Sequence, residues 1–153
     1  MNFKKISIVI VSLVVLSVAY YGISPLFRNV RVDESLPGEK SEGVMENNDE
    51  QESQSYTIQG TTGHPASGQV KIVESEGKKY IRYENLKTIN GPDIYVYLSK
   101  DLEAKEYVNL GQVRATEGNV NYEIPQGVNP DDYRYVMIWC KQFGVLFNSA
   151  QIH

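Results

Sequence analysis

Among 153 residues there is one cysteine, Cys140, one tryptophan, Trp139, and two histidines, His64 and His153. A lone thiol cannot close an internal disulfide, which excludes an immunoglobulin-type bridge and the paired cysteines of thioredoxin chemistry or covalent c-type haem attachment. Three Cys and His residues in all are too few for a structural zinc site, which needs four ligands. A blue-copper centre is a poor match despite Met137, because Lys141, Gln142 and Phe143 follow the cysteine where a histidine and a methionine would be needed. A Cys–His hydrolase would require a third orienting group and an oxyanion hole, and no motif signals either. Asp93, Asp131 and Asp132 could bind calcium, yet Gly-Pro-Asp and Asn-Pro-Asp-Asp are ordinary turn sequences.

Charge of one sign is also scarce, except in one place. Residues 1–32 carry +4, residues 33–56 carry −7 and residues 57–153 carry −1. The last segment therefore lacks the clustered Lys and Arg that a nucleic-acid partner would require. Residues 33–56 hold eight acidic residues against the single Lys40. Such a stretch buries too little apolar surface to offset its ordering entropy, so it is expected to be a disordered acidic linker that holds a domain off a surface.

Ahead of the linker, Ile6 to Ile23 is uncharged and rich in Ile, Val and Leu, and it follows Lys4 and Lys5. Its eighteen residues are at the short end of what crosses a hydrocarbon core of ~30 Å, and the two lysines favour an inside N-terminus. Ser17-Val18-Ala19 could pass for a signal-peptide cleavage site, but Tyr20, Tyr21 and Ile23 continue the apolar run and suit an uncleaved anchor better. No cysteine lies near Ala19 to carry a lipid. Arg28 and Arg31 on the outer flank reduce the charge asymmetry. The expectation is a single N-terminal transmembrane helix within residues 1–32, placing the rest of the chain outside the cell membrane.

Residues 57–153 read as one small all-β domain, an antiparallel β-sandwich or barrel. Gln69 to Glu74, Lys79 to Leu86, Asp93 to Ser99, Val120 to Ile124, Tyr133 to Cys140 and Val145 to Ile152 are short runs rich in Val, Ile and Tyr, separated by Gly, Asn, Pro or Asp. Alternation assigns Val70 with Ile72, Ile81 with Tyr83, Ile94 with Val96 and Leu98, and Val136 with Ile138 and Cys140 to core-facing sets. Tyr80, Tyr95, Tyr97 and Tyr135 fall on the outer faces. Glu76-Gly77 predicts a hairpin turn and Asn90 to Asp93 a turn that launches the next strand. Lys100 to Tyr107 is too polar to assign beyond a loop or short helical turn.

Several pieces of this domain keep a common order. They are Gly60-x-x-x-His64-Pro-Ala-Ser-Gly68, Asn90-Gly-Pro-Asp-Ile-Tyr-Val-Tyr-Leu-Ser99, Leu110-Gly111, Tyr122-Glu-Ile-Pro125, and Tyr133-x-x-Val136-x-Ile138-Trp139-Cys140-x-x-Phe143-x-Val145-x-Phe147-x-x-Ala150. Together they resemble the DM-thirteen domain of Skeletor-type cell-surface proteins. That resemblance implies an extracytoplasmic β domain acting in electron transfer, with the cysteine of the Trp-Cys pair as a bare redox thiol or as a ligand to a prosthetic group such as haem. Residues 57–153 hold no cytochrome-type domain, so a redox partner protein is expected.

The residues themselves leave Cys140 open between roles. Lys141 beside it could favour the thiolate, whereas alternation with Val136 and Ile138 places it in the core, where cysteine behaves as a small inert hydrophobe. An intermolecular disulfide is a third reading. His64, in a Gly- and Pro-rich loop, is the second candidate: it could share ligation with Cys140, act as its base, or simply brace its own loop. The rival to redox function is a binding module whose outer tyrosines recognise a surface protein or glycan.

Overall fold

The computed structural model describes residues 3–23, 29–38 and 54–153. Helix α1 spans Phe3–Ile23. It is followed by ten strands: β1 (Arg31–Asp33), β2 (Ser55–Thr57), β3 (Gln59–Gly60), β4 (Ser67–Ser75), β5 (Lys78–Lys87), β6 (Ile94–Ser99), β7 (Tyr107–Gln112), β8 (Glu117–Glu123), β9 (Tyr135–Cys140) and β10 (Val145–Gln151). They form two five-stranded sheets in the orders β1-β8-β5-β4-β2 and β3-β10-β9-β6-β7. Every pairing is antiparallel except β1 on β8. The expected sandwich is thus the observed fold.

The core arises from alternate residues that line up across each sheet. In the first sheet Val70, Tyr83 and Val120 form one row and Ile72, Ile81 and Tyr122 the next. The second sheet answers with Leu98, Val136 and Ala150, then Val96, Ile138 and Asn148, then Ile94, Cys140 and Val145. Nearly all of these side chains are buried in one apolar cluster, as the period of two predicts. The Glu76-Gly77 hairpin has φ of 52° and 72°, the left-handed pair that a two-residue turn needs to match strand twist.

Three expectations change. Tyr97 is not an outward-facing surface residue: it stacks on Tyr107 at 4.1 Å, sits beside buried Met137 across β9, and is 1% exposed. The strand that carries Tyr107, β7, escaped the sequence reading because the polar stretch before it shows no alternation. That stretch is a loop organised by Asp101, whose carboxylate accepts the N–H groups of Glu103, Lys105 and Glu106.

The second change concerns the acidic segment. Its first residues lie on the domain. Asp33 is in β1, whose close approach to β8 requires glycine at 118, since a Cβ there would collide with the Val32 carbonyl. Glu34 binds Arg114 at 2.7 Å and accepts the Asn121 N–H at 2.8 Å. Arg82, 6% exposed, meets the carboxylate of Glu84, the amide oxygen of Asn121 and the carbonyls of Glu34 and Ser35. A buried guanidinium is tolerable only when so many acceptors surround it. Gly38 then lies against Ser75 of β4. Residues 34–38 therefore strap the outer face of the first sheet from β8 towards β4. The chain rejoins that sheet at β2, on the edge opposite β1. Residues 39–53, the rest of the expected linker, lie outside the described residues.

The third concerns α1, which forms where a membrane span was expected. Its side-chain surroundings are described at Ile6, Ile8 to Val18 and Tyr20. Among the described residues no helix is long and apolar enough to cross a membrane. The span is accordingly a matter for proposal.

Replacing Arg82 by Ala should remove the strap's central anchor and leave the carbonyls of Glu34 and Ser35 without their donor. A loss of about 2–4 kcal/mol in urea denaturation is expected, with faster amide exchange at residues 30–36 than elsewhere in the sheet. The phenols give a pH signature. Burial, followed by the bond to Tyr107, pushes Tyr97 up to about 12, and burial pushes Tyr83 up as well. Below about pH 10 these phenols are neutral in both folded and unfolded chains, and above it the unfolded chain ionises first. Stability should therefore be flat with respect to these groups up to about pH 10 and fall from there towards pH 12, which urea titrations at fixed pH would read.

Candidate functional site

The site is assembled at one end of the second sheet by an irregularity in β10. Between Leu146 and Asn148 the pairing with β9 slips by one residue, so that Phe147 has no partner opposite it. A bulge of this kind re-aims a side chain. Here it turns Phe147 under His64, with the rings stacked at 4.1 Å between centroids and 26° between planes. The same shift carries Asn148 into the core row, where it is buried and donates to the Thr88 hydroxyl at 3.0 Å.

The loop from Gly60 to His64 is clamped to this bulge. Thr61 donates its N–H to the Phe147 carbonyl, and its hydroxyl lies 2.9 Å from the Leu146 carbonyl and 3.1 Å from that of Phe147. His64 closes the turn by donating its N–H to the Thr61 carbonyl. Gly60 is needed there because a Cβ would press on the His64 carbonyl and the Ala66 N–H, each at 2.6 Å. His64 Nδ1 is 3.1 Å from the Thr61 hydroxyl. That hydroxyl has a single proton, and the carbonyls of Leu146 and Phe147 can only accept. When that proton goes to one of the carbonyls, the hydroxyl accepts from the imidazole, and Nδ1 then carries the ring proton of the neutral ring with the lone pair on Nε2.

His64, Phe147, Val145 and Phe143 line a pocket of about 510 Å³ together with Ile89, Asn90, Gly91, Pro92 and Asn29. Among the described residues the lining is apolar apart from one imidazole and two amides. Phe143, in the turn after β9, is 66% exposed at its mouth. Gly91 leaves the room: a Cβ at that position would press on Phe147 and Ile94 at 2.9 and 2.8 Å.

Cys140 is at the same end of the molecule but on the other side of the wall. It pairs with Val145 of the lining and with Ile94, it is 0% exposed, and it is a free thiol. It does not line the pocket. Lys141 next to it reaches outward, its ammonium 5.7 Å from the Tyr95 ring. The structure thus brings both sequence candidates to one end of the sandwich without giving them a shared space. Haem fits this arrangement badly. Of the two candidate ligands only His64 faces the pocket, and among the described residues the lining holds no Lys or Arg to meet the carboxylates of a haem edge. Among the described residues no group of three or more His, Cys, Asp or Glu could hold a metal ion. His153 lies elsewhere, 3.6 Å from Asp131.

Sequence reasoning reached His64 and missed what makes it distinctive. Thr61 and Phe147 carry no chemical signal of their own, and a bulge leaves no mark in a pattern that is already Val-Leu-Phe. A family model described as Electron transfer DM13 matches residues 58–152, which include the bulge, Cys140 and every lining residue of the pocket named above except Asn29. No curated protein and no solved structure matches the chain.

Because the thiol is sealed, the native protein should react with a thiol-specific disulfide reagent only as fast as it unfolds. Labelling in the absence of denaturant within minutes would contradict that burial. Cys140→Ser, which puts a hydroxyl among apolar side chains, should cost about 1–3 kcal/mol, and more than Cys140→Val, both read by thermal melting.

Proposed function

The chain belongs to the electron transfer DM13 family, and from that premise we propose that it is an electron-transfer domain held at the outer surface of a membrane by α1. Its exchange site is the His64 pocket, and it passes electrons to or from a partner protein. The observation that carries the site is the convergence of three separate segments on that pocket: the clamped 60–64 loop, the bulge at Phe147 and the turn carrying Phe143. Convergent polar groups in an otherwise apolar hollow are the usual form of a small-molecule site. In this reading Cys140 acts from behind the wall, as a small apolar residue that supports Val145, and not as a thiol that a partner touches.

The anchor is supported by composition and by exposure. Ile6 to Ile23 has no charge, and its eighteen residues are at the short end of what crosses a hydrocarbon core. The apolar side chains from Ile8 to Leu16 are all more than half exposed, on every face of the helix. A helix apolar all round is stable in lipid or in a core, and poorly so in water. Lys4 and Lys5 favour an inside N-terminus and an outside sandwich, an asymmetry that Arg28 and Arg31 reduce.

Two measurements test the reading. The full chain should remain with membranes through alkaline carbonate washing, with the sandwich open to protease from outside; release into the wash would remove the anchor. Cells lacking the protein should reduce external ferricyanide more slowly than wild type. Restoration by Cys140→Val but not by His64→Ala is the expected pattern, and an unchanged rate in the deletion would sink the electron-transfer assignment.

A further inference from the structure

The pocket specifies its ligand more narrowly than electron transfer requires, and the argument rests on the reading just given. We propose that it binds a planar, uncharged aromatic ring bearing hydroxyl groups, a hydroquinone carried in the lipid phase, whose hydroxyl donates to His64 Nε2.

The chemistry of the lining decides against other classes. Among the described residues no Lys, Arg, Asp or Glu lines the pocket, so a phosphate, a carboxylate or an ammonium would leave water without a partner of opposite charge from them. Its volume of about 510 Å³ suits a ligand of one or two fused rings with part of a side chain. Phe143, Phe147 and Pro92 offer flat apolar surfaces, and the imidazole stacked on Phe147 adds one more.

The sense of the hydrogen bond follows from Thr61. We take the Thr61 proton to lie on a backbone carbonyl, which puts the ring proton on Nδ1. Among the described residues Nε2 has no hydrogen-bond partner. A lone pair pinned in this way by a bond on the opposite nitrogen accepts but cannot donate. A hydroquinone satisfies it, and the corresponding quinone or an ether cannot.

Delivery from lipid follows from chain length. Asn29 lines the pocket, and only residues 24–28 separate it from the end of α1 at Ile23. Six peptide links reach at most about 20–22 Å. If α1 crosses the membrane, the pocket cannot stand further than that from the lipid surface along the chain, and exposed Phe143 marks its mouth.

The test uses the full chain in lipid nanodiscs under anaerobic conditions, with 1,4-naphthohydroquinone and its dimethyl ether as probes and calorimetry as the readout. The hydroquinone should bind about tenfold tighter than the ether, the value of one well-made hydrogen bond. His64→Phe keeps the stacking partner for Phe147 and should abolish that difference while preserving weak binding of the ether. Phe143→Ser, at an exposed position, should weaken both probes. Nitrogen-15 spectra of the imidazole should show the proton on Nδ1 in the neutral ring. Equal binding of the two probes, an unchanged preference in His64→Phe, or a proton found on Nε2 would overturn the proposal. These outcomes are independent of the ferricyanide and carbonate experiments, so a failed electron-transfer or anchor assignment would be recognised separately from a failed ligand assignment.

Discussion

Everything distinctive about the candidate site depends on where one hydroxyl lies. Thr61 sets it against the carbonyls exposed by the bulge in β10 and against His64 Nδ1, and that position does three things at once. It fastens the 60–64 loop to the sheet, it holds Phe147 beneath His64, and it engages Nδ1 while Nε2 has no partner among the described residues. A regular β10 would keep its carbonyls for the ladder and turn its side chains alternately inward and outward, leaving no such foothold. The bulge costs one row of pairing and puts Asn148 in the core, where its amide finds Thr88 but its Oδ1 has no partner among the described residues. Unpaired polar atoms of that kind are rare in interiors and tend to mark places where packing has yielded to function.

The cysteine, the obvious chemical oddity of the sequence, has a less direct position than its rarity suggests. Alternation placed it with Val136 and Ile138, and the fold agrees. Its relation to the pocket is through Val145, one residue thick. Chemistry at the pocket is therefore the chemistry of an imidazole in an apolar recess, where an accepted proton or hydrogen bond counts for more than it would in water.

How much of this could be read in advance follows from the physical scale of each feature. The core rows were legible because a strand repeats every two residues and the chain obeys that period at Ile94-Val96-Leu98 and Val136-Ile138-Cys140. His64 was legible because functional side chains gather in Gly- and Pro-rich loops. β7 was not, since Val108 and Leu110 alternate only after a long polar approach. Tyr97 was assigned to a surface because alternation gives a face but not what covers it, and its cover, Tyr107, comes from the strand that was missed. The strap was hidden by its own composition. Glu34 reads as one acid among eight until Arg82, Arg114 and Asn121, far away in sequence, are seen to need it.

That strap redefines what the acidic segment is for. A linker has one end on each of two bodies, whereas the chain on both sides of residues 39–53, Gly38 beside β4 and Ser55 in β2, lies on the same sheet. The segment is a closed loop of the domain, and the length of that loop has no bearing on how far the sandwich stands from α1. Insertions and deletions there can accumulate without altering reach, and a protease that cuts within it leaves both pieces joined through β1 and β8. A cut in the five residues before Asn29 would instead separate α1 from the whole sandwich. The two stretches thus differ in consequence, and the length of the shorter one bounds how far the sandwich can lie from α1.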